Sequence, residues 1–393
     1  MSVSGYATAV LFPRVDARIA PITFLIATLS SPAYAYDITD NFSIGGTVTG
    51  VYQYGEFSGA KNEHGETIDD TGRATVVTDI RFDFRPTDKD RFNIVLSFAA
   101  GNALNEISPY PEHPLYADEL EDLVEDISGR GRDYLMEAWY KHTFTFSTDV
   151  SLGITGGFIK STDWLDDNAY ANEEIEQYMN DAFVNNTLMI PPNFVPGIAT
   201  EFEFGDNWSF RNVWINGKNE VHWKEKEEER RTFNYFGSQI GYHMQTGLGR
   251  GNYRLLFQIT SNDFLDANHT GTEDLTSIGF SLDQQLGDTF GAFARFGWQD
   301  DDAEVSHDTL YSGGLYIDGS LWGRAHQDAG LAYAYLDGGN ESIDNTSIFE
   351  AYVRFPLWEH VEISLDLQYL DADTDTDGEP HGFIYGIRTN THF

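Results

Sequence analysis

The chain has 393 residues, with 63 acidic against 24 basic side chains and a formal net charge of -39 at pH 7. A surface this acidic repels nucleic acid and anionic lipid, which excludes both as natural partners. Aromatic residues make up 15% of the chain, unlike an acidic disordered protein, and cysteine is absent, so disulfides, thiol catalysis and thiolate metal sites are excluded.

In chain order, Arg14 and Arg18 precede an apolar run, Ile19 to Leu29, and Ala33-Tyr34-Ala35 follows it. Basic region, short apolar core and small-x-small site together read as a cleavable signal peptide at 1–35, leaving 36–393 as a single domain. No later stretch offers the ~20 consecutive apolar residues of a membrane helix. A membrane-spanning form of this chain would therefore be a closed barrel, in which every backbone polar group is paired.

From Phe42 onward the dominant signal is period-two alternation over stretches of about ten residues, the length of a tilted membrane strand. Ile80, Phe82 and Phe84 alternate with Asp79, Arg81 and Asp83, and Phe92, Ile94, Leu96 and Phe98 alternate with small or polar residues. The same pattern returns at Phe290 to Trp298 and at Val361 to Tyr369. Strands are expected near 42–54, 75–86, 90–100, 133–146, 148–158, 197–205, 207–216, 232–244, 251–262, 274–285, 288–298, 309–317, 327–337, 346–356, 360–371 and 382–393.

A soluble sandwich also alternates, so the connections decide between the two. Brief links such as 86–89, 205–206 and 356–359 alternate with long polar ones at 55–74, 101–132, 159–196, 217–231 and 299–308. That rhythm is the short periplasmic turn and long outer loop of a porin. On the last stretch Phe383, Tyr385, Ile387, Thr389, Thr391 and Phe393 share one parity, and a terminal aromatic on such a strand resembles the signal read by outer-membrane barrel assembly. Trp208, Trp298, Tyr369 and Phe146 near strand ends fit interfacial aromatic girdles. The expected fold is all-β: a transmembrane antiparallel barrel of about sixteen strands in the outer membrane of a Gram-negative bacterium.

A barrel of that size encloses an aqueous lumen, so inward side chains and any infolded loop govern function. Parity assigns Asp79, Arg81, Asp83, Glu137, Trp139, Lys141, Arg211, Arg295, Glu350, Arg354 and Arg388 to the lumen. A charge on the lipid face near the midplane costs ~2–4 kcal/mol, which gives the parity choice its force. The long connection at 159–196 is third among the outer loops and carries the constriction candidates Trp164, Asp166, Asp167, Asn168, Tyr170, Glu173 and Glu174. Trp139, Trp164 and Tyr170 are candidate stacking groups for the apolar face of a sugar ring.

The stretch Ser161-Thr162-Asp163-Trp164-Leu165-Asp166-Asp167-Asn168-Ala169-Tyr170-Ala171-Asn172-Glu173, with Asp181 to Asn186, resembles the carbohydrate-selective porin (OprB-like) family. Gly323-Arg324 with Asp328 to Tyr333, and Gly386 to Asn390, resemble it too. The resemblance implies a sixteen-stranded porin that admits sugars, with the third outer loop folded inward. The acidic loop would favour cations, so a cation- or inorganic-ion-preferring porin of the same fold is the alternative.

No enzyme signature accompanies this: the chain has no G-x-S-x-G elbow, no P-loop and no H-E-x-x-H. A barrel hydrolase and a soluble β-sandwich lectin are the competing classes; the missing local signature and the long acidic loop weigh against the first, and the link rhythm and Phe393 against the second. Asp373, Asp375, Asp377 and Gly378 match the opening of an EF-hand, but the twelfth position is Ile384 rather than Glu. Catalytic residues, cofactors and metal ligands are expected to be absent. The expected partners are small sugars or other hydrophilic solutes, outer-membrane lipid and, through bridging cations rather than direct contact, lipopolysaccharide, with the protein a monomer or a homotrimer.

Overall fold

The structure, a computed structural model, describes residues 36–61, 66–110, 112–114, 133–189, 192–221, 229–324, 326–341, 343–374 and 379–393. The expected signal peptide at 1–35, most of the charged run 224–231 and part of the EF-hand-like stretch (375–378) lie outside the described residues.

Sixteen strands close into one antiparallel barrel. They are β1 (Phe42–Ser58), β2 (Thr71–Thr87), β3 (Asp90–Ala100), β4 (Asp133–Ser147), β5 (Val150–Lys160), β6 (Asn193–Phe204), β7 (Trp208–Val221) and β8 (Glu229–Thr246), then β9 (Gly249–Thr260), β10 (Thr276–Leu286), β11 (Phe290–Gln299), β12 (Thr309–Asp318), β13 (Asp328–Asp337), β14 (Ile343–Trp358), β15 (Val361–Thr374) and β16 (His381–His392). Each pairs with its neighbours in sequence, and β16 returns to β1 in the register Tyr385↔Tyr54 and His392↔Thr47. No helix among the described residues is long and apolar enough to cross a membrane.

The expected strands all form, and several run longer than the pattern implied. β7 and β8 stay paired out to Val221↔Glu229, so both ends of the link expected at 217–231 are strand. Backbone pairing needs no apolar face, so hairpin arms continue past the apolar band into polar sequence. A short strand, Tyr36–Thr39, pairs with the start of β1, and Phe264–Leu265 pairs with Thr272–Glu273 in the connection after β9.

Alternation is inverted relative to a soluble protein. Phe84, Phe92, Ile94 and Tyr140 are exposed on one face, while Asp83, Asn93, Glu137 and Arg211 are buried on the other. Outward aromatics pair across strands, with ring centroids 6.1 Å apart for Phe84 and Phe92 and 4.7 Å for Phe92 and Tyr140. The girdle candidates Trp208, Trp298 and Phe146 stand on this exposed face, and Tyr369 meets Phe383 at 4.9 Å.

Beyond the end of β16, Phe393 N–H donates to Gly46 O (3.0 Å) and Gly46 N–H donates to Phe393 O (2.8 Å). A Cβ at Gly46 would lie 2.2 Å from Asp79 O and 2.7 Å from the Phe393 ring. Gly46→Val should therefore lose about 1–3 kcal/mol by overpacking at the seam. The temperature at which the folded band converts to the unfolded band on a gel should fall, and an unchanged temperature would show that the seam has slack.

Candidate functional site in the barrel interior

After β5 the chain makes a 3-10 turn at Ser161–Asp163 and a single helical turn at Asp181–Val184, capped by Asn180 Oδ1 accepting from Ala182 N (3.1 Å). Between 161 and 189, Trp164, Tyr178, Met179 and Phe183 are fully buried. Tyr178 and Phe183 share a cluster with Phe293, Leu310, Ala332 and Tyr352, which stand on strands β11 to β14. The apolar inward positions of those strands are thus matched by apolar side chains of this segment.

Its backbone and acids meet the wall arginines. Arg295 Nε donates to Asp166 Oδ2 (2.7 Å), and its two terminal nitrogens donate to the carbonyls of Phe183 (2.7 Å), Val184 (3.3 Å) and Ala171. Asp167 bridges Arg211 Nη1 (2.8 Å) and Arg254 Nε (2.6 Å), and Arg254 also reaches Asp283 Oδ2 (2.7 Å). Arg388 donates to the carbonyls of Glu174 and Gln177 (2.9 Å for the latter). Arg354 Nη1 donates to Glu176 Oε2 (2.6 Å) and Glu362 Oε2 (3.1 Å). Glu350 accepts from Met179 N (2.5 Å) and Asn180 N (3.0 Å).

An irregular segment has carbonyls that no helix or sheet satisfies, and the guanidinium fork supplies several donors from one side chain. Burial alone would raise the Asp167 carboxyl, but Arg211 and Arg254 outweigh it and hold it well below the ordinary carboxylate range. Two other acids go the opposite way. Burial, reinforced by Glu137, pushes Asp163 up to about 7 against the pull of Lys160, Arg81 and Arg91. Burial and the adjacent Glu174 and Glu176 carboxylates push Glu173 up to about 7, with Lys160 opposing.

Most of the remaining sequence-selected residues lie around β2 to β6, while Asn168 and Tyr170 meet β10 and β12. Asp83 takes Arg85 Nε (2.6 Å) and Arg91, and Lys141 Nζ donates to Glu201 Oε2 (2.5 Å). Glu137 Oε2 accepts from Asn93 Nδ2 (3.1 Å) and Trp139 Nε1 (2.7 Å), and Asp79 and Arg81 are half-buried. Asn168 Nδ2 donates to Leu282 O (3.0 Å), and Glu174 lies 4.0 Å from Lys160. Of the three aromatic candidates, Trp164 and Trp139 are buried edge to face at 6.1 Å, which corrects their reading as open stacking faces. The segment's own apolar packing consumes them. Tyr170 is half-buried and stacks on Tyr316 at 5.4 Å.

Arg254, Asp283, Asp328 and Asp366 complete the buried charge network, although the sequence reading did not select them. The parity rule reaches them, since Arg254 and Gln258 alternate with the exposed Leu255, Phe257 and Ile259. Residues 112–114 carried no such signal. Pro114 O accepts from Gln53 Nε2 (2.8 Å) and Gln368 Nε2 (3.0 Å), Glu112 lies 3.2 Å from His307 Nδ1, and Asp181 Oδ2 accepts from His113 N (2.9 Å).

The fold is similar to Pseudomonas putida OprB in its high-pH structure, with a TM-score of 0.69 at 13% identity, covering 90% of this chain and 94% of that one. It is also similar to the outer membrane channel DcaP of Acinetobacter baumannii, with a TM-score of 0.57 at 12% identity over 90% and 97% of the two chains. In sequence, an uncharacterized protein of Aquifex aeolicus (strain VF5) is 25% identical over 277 residues, 70% of this chain and 74% of the relative. The profile of the carbohydrate-selective porin, OprB family, matches residues 121–393. With more than half its length matched by that profile, the chain belongs to the OprB family of carbohydrate-selective porins.

Proposed function

We propose that this porin is an outer-membrane diffusion channel for small hydrophilic solutes, carbohydrates foremost, whose lumen is narrowed by the segment 161–189 folded inward. The observation that carries this reading is the set of wall groups spent on that one segment: Arg211, Arg254, Arg295, Arg354, Arg388 and Glu350 all bond to it. A segment held at so many points reduces the bore without closing it by motion. The half-buried Tyr170 and Tyr316 pair gives a flat apolar surface beside carboxylates and amides, a combination that suits sugar rings and hydroxyls. Export is assigned to residues 1–35.

A cation preference is a second reading, favoured by the acids in and around this segment, among them Asp163, Glu173, Glu174 and Glu203. Swelling of liposomes containing the purified protein, in isosmotic neutral sugars of increasing size and in charged solutes of matched size, separates the two. Sugar entry with a sharp size cutoff supports the carbohydrate channel. Entry of cations with little entry of neutral sugars supports the ion channel, and no entry of either removes both.

Asp167→Asn tests the charge balance directly. It removes the carboxylate that neutralises Arg211 and Arg254, so the reversal potential under a salt gradient should move toward anions. A reversal potential equal to that of the unaltered protein would place Asp167 away from the ion path.

A further inference from the structure

No metal ligands are expected from the sequence, because no local spacing of His and carboxylates marks a site. The fold brings three ligand types together from distant positions. Glu176 in the inward segment, Glu362 at the start of β15 and His392 at the end of β16 each offer one atom, and these atoms lie within 4.8 Å of one another. His392 Nε2 is 3.7 Å from Glu176 Oε1 and 3.9 Å from Glu362 Oε2. Ligands held at ordinary zinc distances around a tetrahedral ion stand about 3.4 Å apart, so the two distances from His392 need contract by only a few tenths of an ångström, and the two glutamates close the set by side-chain rotation.

The charge around these groups leaves room for a cation. Arg354 Nη1 touches both glutamates, while its Nε donates to Asp328 Oδ2 (3.0 Å). Three carboxylates, Glu176, Glu362 and Asp328, therefore share one guanidinium, which leaves two negative charges when His392 is neutral. The Oδ1 of Asp328 is buried with no hydrogen-bond partner among the described residues, so the acids here outnumber the donors. Binding the ion requires Arg354 Nη1 to release Glu362 Oε2, the guanidinium being otherwise anchored on Asp328 through Nε and Nη2.

We propose that Glu176, Glu362 and His392 bind one divalent transition-metal ion of the zinc class. An imidazole with two carboxylates is a nitrogen and oxygen donor set suited to zinc, and a double positive charge matches the surplus. The ligands come from the inward segment and from both strands of the β15–β16 pair. The ion thus staples that segment to the wall at the end of the barrel where β14 and β15 are joined by a short turn.

Calorimetric titration of zinc into the folded, detergent-solubilised protein at pH 7.5 tests this. One zinc per chain is expected, with affinity falling by about tenfold or more in His392→Ala and in Glu176→Gln. His269→Ala, at the separate His269–Glu304 pair, should leave the affinity unchanged. Heat-dependent gel mobility establishes that each variant is folded, and Glu176→Gln lies outside every strand, so the test survives a failure of His392→Ala to assemble. Absence of saturable zinc binding in the folded protein, or equal affinity in the folded variants, would overturn the proposal.

Discussion

Replacing Arg295 with methionine is expected to release the inward segment from the barrel wall while the barrel itself stays assembled. The guanidinium is fully buried and serves one carboxylate and three backbone carbonyls, from Asp166, Ala171, Phe183 and Val184. Methionine keeps much of the length and none of the donors. Asp166 is then a buried charge without its partner, and breaking such a pair costs about 3–5 kcal/mol. The segment can avoid that cost by leaving the wall, whereas the paired strands lose no ladder hydrogen bond. Single-channel conductance should rise, and protease should cut within 161–192 at unchanged heat-dependent gel mobility. Lysine at the same position should restore the phenotype only in part, because an ammonium cannot span the same fork of acceptors. Unaltered conductance together with full protease resistance would show that Arg295 does not hold the segment in place.

The second large effect is on pH dependence. Asp163 and Glu173 both titrate near 7 in the folded protein, against ordinary values of 3.8 and 4.5. A raised carboxyl binds its proton more tightly in the fold than in the unfolded chain. The folded arrangement is therefore favoured below the ordinary carboxylate range, and that advantage is lost as pH rises through 7. Across the same window the interior gains up to two negative charges. Cation preference should therefore be higher at pH 8 than at pH 5.5, read as a shift in reversal potential under a potassium chloride gradient. The Asp163→Asn, Glu173→Gln double variant should show a markedly shallower profile. A profile in the double variant as steep as in the unaltered chain would assign the titration to other acids.

Much of the fold was legible in the sequence because a membrane barrel advertises itself twice along each strand. Lipid demands Phe92, Ile94 and Phe98 on one parity, and the interior accepts Asn93, Val95 and Ser97 on the other. Arg211, Arg295, Arg354 and Arg388 could be assigned inward by that rule alone. Strand ends were less legible, since the polar arms of β7 and β8 pair by backbone and leave no periodic trace.

The interior network was legible as a list and not as a set of partners. Trp164 has the residue type of a sugar platform, yet whether its ring stays open depends on Trp139, which the chain places 25 positions earlier on β4. Pro114 meets both Gln53 and Gln368 because barrel closure sets β1 beside the β15–β16 pair, and Glu176 meets Glu362 and His392 because its segment packs against that pair.

The sequence by itself determined the class of the protein, the centres of its strands and the parity on which inward charges such as Arg211 and Arg295 lie, since each follows from a local choice between lipid and interior at every second residue. Only the tertiary structure decided which charges neutralise one another, because those contacts join an irregular segment to strands between 44 and 178 residues away, and no local periodicity encodes such a pairing.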